Sequence, residues 1–340
     1  MQLLEKVIII IVSLFTISGC SKTPKDTIKL SKDVRFVFYA YDRQTEGDFI
    51  QYYDNEKIKT IDKTDGRSTI YGSVEYPIFR NFKEISYSKI IKDDSGKFFS
   101  ELYFYDLIKS KLLKKTNVDD SFFTLSIDYQ FLNENMLVAL SQYKESGKIY
   151  YALVLYDLNN KSYEILEKWD KKEHSVLAMD LAPNKEFVVL SYRADESLKD
   201  KKINKGLIKY NLKDRKIEYI STGNVGVLGY AIQILPDNEN VLFVGGTGFN
   251  QVGNSYFLVQ DIIKFNLRTK KMETIVKSVG QSCHMYLMPD GQHLVYRKTD
   301  EFVIRNLVTG KEVDFKKFFG IDIGDDYIHS IDFYDPKKSV

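Results

Sequence analysis

The chain has 340 residues, 44% hydrophobic and 28% charged, a composition that excludes a disordered chain and suffices for two ordinary domains or one large closed one. Its 49 basic and 47 acidic residues leave a net charge of +2, which removes the electrostatic argument for a nucleic-acid partner. With only 6 Pro and 19 Gly, collagen-like and linker-dominated organisations are excluded as well.

The first element is N-terminal. Lys6 is the only base of a short leading segment, and Val7 to Phe15 is apolar apart from Ser13. That run is shorter than the roughly 20 residues a spanning helix needs and fits the apolar core of a secretory signal. Ile17-Ser18-Gly19-Cys20 follows. An aliphatic residue, two small residues and a Cys resemble the bacterial lipobox. The resemblance implies cleavage before Cys20, a diacylglyceryl group on its thiol, and a home at the bacterial membrane or cell envelope. Residues 1–19 are then a signal peptide, and residues 20–33 a lipidated Cys and polar tether. The other reading of the same residues is an uncleaved N-terminal anchor. Two acyl chains hold a protein on a bilayer stably, where one is marginal. No later stretch approaches spanning length.

From residue 34 on the chain is periodic. Tyr105-Asp106-Leu107, Tyr156-Asp157-Leu158, Tyr210-Asn211-Leu212, Phe265-Asn266-Leu267 and Arg305-Asn306-Leu307 each lead through a short polar turn to a basic residue. Tyr53-Asp54-Asn55 is a degenerate first copy. A second motif keeps step: Pro183-Asn184, Pro236-Asp237 and Pro289-Asp290-Gly291, with the prolines 53 residues apart both times. Asn133 stands where an earlier proline would be. Each period holds four short runs rich in Val, Ile, Leu, Tyr and Phe; the clearest are Ser175–Ala182, Glu186–Arg193, Lys205–Leu212 and Lys216–Ser221. Asn and Asp tolerate left-handed backbone and bond locally, so they mark hairpins. Four antiparallel strands per period of about 50 residues are the sequence form of a propeller blade. The expected fold is all-β, a six-bladed propeller over 34–340.

The Pro-Asp-Gly turn before an apolar strand, repeated with Tyr-Asp-Leu hairpins, resembles TolB-like six-bladed propellers over nearly all of the chain after the tether. Val34 to Ile61 lacks a first strand, and Ile328 to Tyr334 is a first strand with nothing after it. The spacing predicts that the two ends pair to complete one blade, which removes two exposed sheet edges. Seven blades are the alternative, because boundaries near residues 62–92 are blurred.

Catalytic signatures are sparse. There is no Gly-x-Ser-x-Gly elbow, no His-x-x-x-His pair and no Cys-x-x-Cys pair. Gly245-Gly246-Thr247-Gly248 lacks the Lys of a phosphate loop and reads as a turn between strands. With Cys20 acylated, Cys283 has no disulfide partner; beside His284 it is a nucleophile, a metal ligand or a small buried residue on a strand. The candidates gather by blade logic on the face carrying the inter-blade loops. His174, His284 and His329 fall near the starts of inner strands there, as a ligand set or as packing residues. Asp65, Asp119, Asp120, Asp170, Asp325 and Asp326 lie in inter-blade loops, as a cation-attracting rim or as turn chemistry. Trp169 either displays a contact surface or packs on a blade. The expectation is a membrane-anchored binding or scaffold protein engaging a protein or peptide on that face, without a cofactor. The alternative is a small-ligand or metal-dependent propeller enzyme or receptor of the lactonase type, using the central channel with or without a divalent cation.

Overall fold

In a computed structural model the chain is described over residues 34–42, 47–54, 57–63, 74–92, 98–117, 122–195, 204–252, 255–279, 284–298, 301–321 and 327–335. Strands β1 (Arg35–Asp42), β2 (Gly47–Asp54) and β3 (Lys57–Lys63) belong to blade I. Blade II is β4 (Val74–Asn81), β5 (Glu84–Lys92), β6 (Phe98–Asp106) and β7 (Lys111–Asn117). Blade III is β8 (Phe122–Asn133), β9 (Met136–Glu145), β10 (Lys148–Asp157) and β11 (Ser162–Asp170). Blade IV has a divided inner strand, β12 (His174–Ser175) and β13 (Met179–Leu181), then β14 (Phe187–Ala194), β15 (Lys205–Asn211) and β16 (Ile217–Ser221). Blade V is β17 (Gly226–Ile234), β18 (Asn240–Val252), β19 (Ser255–Asn266) and β20 (Met272–Val279). Blade VI is β21 (Met285–Leu287), β22 (His293–Lys298), β23 (Glu301–Asn306) and β24 (Glu312–Asp314), followed by a one-turn helix α1 (Phe315–Phe319). The last strand, β25 (Tyr327–Phe333), pairs antiparallel with β1 and completes blade I in the order β25-β1-β2-β3. The ring has six blades, and the two ends of the propeller close it.

The turns follow from side-chain chemistry. Asp106, Asp157, Asn211, Asn266 and Asn306 each accept the backbone N–H groups two and three residues on. This is the local bonding that makes Asx residues turn formers. The fourth residue after each of them has positive φ: Ser110, Lys161, Arg215, Lys270 and Gly310. The next residue in the motif, Leu107, Leu158, Leu212, Leu267 or Leu307, donates its N–H at 2.8 Å to the turn between the first two strands of the same blade. The two turns of a blade therefore lie side by side on one face. At Gly291, with φ 66°, a Cβ would come within 2.5 Å of Pro236 Cγ in the neighbouring blade, so glycine is required there.

Two sequence expectations change in detail. The glycine run does not turn the chain: residues 245–248 lie inside β18, which continues into a long hairpin with β19, and the register slips between Gly246 and Gly248. Glycine tolerates such a bulge and a close approach. A Cβ on Gly245 would come within 2.6 Å of Val225 Cγ1. The inner strand of blade IV, expected to be continuous, breaks at 176–178, where Ser191 Oγ accepts the N–H groups of Leu177 and Ala178 at 3.1 and 3.0 Å.

Large side chains fill the wedges between blades. Val138, Leu140, Tyr151 and Leu153 of blade III pack with Met179, Val188, Leu190 and Tyr192 of blade IV. Where blade VI meets blade I the filling is aromatic. Phe36 lies 4.6 Å from Tyr53, 5.3 Å from Phe315, 4.9 Å from Phe319 and 5.6 Å from Phe333, centroid to centroid. Asp314 caps α1 by accepting Lys317 N–H at 2.6 Å, and Gly320 ends it with φ 64°.

Candidate functional site

The six inner strands surround a central cavity of about 150 Å³. It is lined by the inner strands of all six blades, with Lys185 and Asp335 where those strands end and His284 where β21 begins. Pockets for drug-sized ligands measure roughly 300–1,000 Å³, so this space suits a few waters rather than a ligand of that size.

An inner strand bonds on one side to its blade and presents its other edge to the channel. The amides on that edge need acceptors. The chain supplies them from the preceding blade. Gln130 Oε1 accepts Leu181 N–H at 3.2 Å, Asp180 Oδ2 accepts Ile234 N–H at 2.5 Å, and Gln233 Oε1 accepts Leu287 N–H at 3.2 Å. Asp332 Oδ2 accepts Phe79 N–H at 2.8 Å across the seam from blade I to blade II. Gln130 Nε2 also donates to Asp180 Oδ1 at 2.7 Å, so two of these bridges are joined. At the equivalent positions of blades II and VI stand Ile78 and Tyr286. At the second of those seams the aromatic cluster around Phe36 packs instead. These four side chains form a belt that sequence reasoning missed. The available signal was a polar residue three positions before each Asn133, Pro183 and Pro236 turn.

The belt commits its polar groups to structure. Asp180 is fully buried. Asp128 likewise accepts Met179 N–H, at 3.3 Å. Among the described residues, no three His, Cys, Asp or Glu side chains converge on a point that could hold a metal ion. Burial holds the Lys185 ammonium below the usual lysine range, and its Nζ donates to Leu132 O at 3.2 Å.

The residues singled out in the sequence do not come together. His284 lines the channel. His174 is buried at the base of a separate concavity with Lys171, Lys172, Glu173 and Arg193. Its Nδ1 shares a hydrogen bond with Tyr192 OH at 3.2 Å, and the rings stack at 5.7 Å. Burial and the neighbouring Tyr219 push the Tyr192 phenol up to about 12. His329 is part of β25, and its side chain lies outside what is described. Asp170 does turn work, accepting Lys172 N–H at 2.9 Å. Asp65, Asp119, Asp120, Cys283, Asp325, Asp326, Cys20 and the whole leader lie outside the described residues.

Trp169 is a wedge residue, not a displayed one. It is 4% exposed, packs between blades III and IV, and donates Nε1–H to Tyr219 OH at 3.2 Å. Its place at a strand end beside Asp170 and Lys171 conceals this, because the partner that buries it lies 50 residues away. Trp169→Ala is expected to cost about 3–5 kcal/mol in urea unfolding, the range for truncating a buried aromatic. Trp169→Phe should cost less. A Trp169→Ala protein as stable as the parent would show that the ring is not part of the seam.

No protein-family model and no curated protein sequence matches the chain. Solved structures do. TolB of Acinetobacter baumannii aligns with TM-score 0.57 at 10% identity, over 89% of this chain and 67% of that one. A candidate TolB of Agrobacterium tumefaciens aligns with TM-score 0.51 at 12% identity, over 88% and 99% of the two chains. A candidate 6-phosphogluconolactonase of Bacteroides uniformis aligns with TM-score 0.51 at 11% identity, over 89% and 100%. At these identities the likeness is one of fold. Among the described residues no helix is long and apolar enough to cross a membrane.

Proposed function

We propose that the chain is an exported lipoprotein, anchored through Cys20, whose propeller binds a protein or peptide on the face carrying the inter-blade loops. The observation that carries the binding reading is the belt. The polar groups of the channel are spent on holding adjacent inner strands together, and the remaining space is too small for a large ligand. The accessible chemistry then lies at the rim, where Lys171, Lys172 and Glu173 are exposed beside the blade IV concavity. The test is crosslinking in intact cells. Lys171→Glu with Lys172→Glu should lower capture of the partner, with stability changed by less than about 0.5 kcal/mol. Lys213→Glu, in a hairpin turn on the other face, should leave capture intact. The reverse pattern would mean that the partner binds the turn face. Cys20→Ser should abolish lipid labelling and processing; unchanged labelling would remove the anchor.

The lactonase-type reading rests on four carboxylates along one channel, Asp128, Asp180, Asp332 and Asp335, of which the first three already accept main-chain N–H groups and no three converge on one point. Stoichiometric divalent metal in the purified protein, lost with Asp128→Asn, would favour it over the scaffold.

A further inference from the structure

The outer strands of the six blades differ in charge. In β7, Lys111-Leu112-Leu113-Lys114-Lys115-Thr116-Asn117, there are three lysines and no carboxylate. The adjoining β3 has Lys57, Lys59 and Lys63 against a single Asp62, which pairs with Lys89 at 2.5 Å. Elsewhere the sign reverses or cancels: β11 has Glu164, Glu167 and Asp170 against Lys168, β16 has Glu218, and β24 has Glu312 and Asp314. The two neighbouring outer strands of blades I and II are therefore the basic ones.

Lysines on an edge strand are ordinary protection against strand addition. They do not explain the apolar groups beside them. Ile108 is 62% exposed, and Leu112, Phe82 and Leu113 are each 40% exposed or more. On the other blades the exposed large apolar side chains among the described residues are scattered, none on blade I and one or two on each of the rest. On blade II they are neighbours. Leu107 N–H bonds Lys83 O, which joins the turn bearing Phe82 to the turn bearing Ile108, and β7 starts just beyond it. The chain enters the propeller at this spot. The Arg35 guanidinium lies 4.2 Å from the centre of the Phe82 ring, and the segment before it contains Lys22, Lys25, Lys29 and Lys32.

We infer that the turns of blade II and its outer strand dock on a lipid surface with anionic headgroups. Aliphatic side chains ringed by lysines suit that interface, the first entering the headgroup boundary and the second meeting the phosphates. The orientation rests in part on the lipid anchor proposed above, because a lipid on Cys20 draws the bilayer to the side where the chain enters. The loop face is then left free for a partner.

The test places a fluorophore on the full lipidated chain, with Cys283→Ser and either Ser110→Cys or Ser146→Cys. These are turn serines with the same φ, 49°, one in blade II beside Ile108 and one on the opposite face of blade III. Vesicles are phosphatidylcholine alone or mixed with phosphatidylglycerol, each with brominated chains as quencher. The expected result is quenching at position 110 in anionic vesicles, none at 146, and loss of the signal in high salt. Each lysine near an anionic surface is worth about fivefold in partitioning, so Lys111→Glu with Lys114→Glu should weaken docking at least about 25-fold. Ile108→Ser with Leu112→Ser should weaken it in the anionic vesicles too. Sedimentation with both vesicle types, without extra quenching at 110, overturns the docking and leaves the anchor; an acidic protein partner for these lysines would give that outcome. Sedimentation only with anionic vesicles, with 110 quenched, keeps the docking and removes the anchor. No sedimentation removes both.

Discussion

Truncation of the chain before Tyr327 is expected to abolish cooperative unfolding and to give a protein that aggregates. The lost strand buries Ile328, Ile331 and Phe333 and supplies Asp332, whose carboxylate holds Phe79 N–H. Burying three such side chains stabilises by about 5–9 kcal/mol, comparable with the ~5–15 kcal/mol net stability of a whole domain. The loss also uncovers the inner edge of β1, where Phe36, Val37, Phe38 and Ala40 are all buried. Calorimetry and light scattering during heating provide the check. A truncated chain that melts in one sharp transition near the parent's temperature would mean that the ring is held without its terminal closure.

Asp180→Ala is expected to be the most damaging single substitution in the channel. The carboxylate is inaccessible to water and accepts both the Gln130 amide at 2.7 Å and Ile234 N–H at 2.5 Å. Alanine leaves the buried Ile234 N–H and the half-buried Gln130 amide without an acceptor, a loss of about 3–5 kcal/mol. Asp180→Asn should cost less, about 1–2 kcal/mol. Its one carbonyl oxygen can still serve Ile234, while its NH₂ opposes that of Gln130, whose own oxygen is engaged by Leu181. Urea unfolding ranks the two variants. Faster amide exchange at Ile234 in both would tie the loss to the bridge between blades IV and V. If Asp180→Ala unfolded within 1 kcal/mol of the parent, the belt would not hold the inner strands together.

The architecture was legible because its signals are local. An Asn or Asp that bonds the amides two and three residues ahead leaves the same mark in every blade, so Asp106, Asp157, Asn211, Asn266 and Asn306 reveal the period without any knowledge of packing. The paired ends were legible for a related reason: counting strands per period left three at one end and one at the other. The site was much less legible. Gln130, Asp180, Gln233 and Asp332 are ordinary polar positions on strands until a neighbouring blade places an amide opposite them. Trp169 and His174 lie in loops and strand ends by sequence and inside a seam by structure, because the groups that bury them come from the next blade. The glycines at 245–248 carry the composition of a turn, and only the closeness of Val225 and Ile263 to where a Cβ on Gly245 would stand shows why a glycine lies within that strand.

The split blade also sets a timetable. A ribosome finishes Asp54 long before it reaches Phe333, and at roughly 5–20 residues per second the interval is on the order of 15–55 s. For all of that time β1–β3 form at best a three-stranded ribbon with an aromatic margin and nothing to cover it. Blade I, and with it the ring, is complete only when that last strand arrives, so no shorter chain can close.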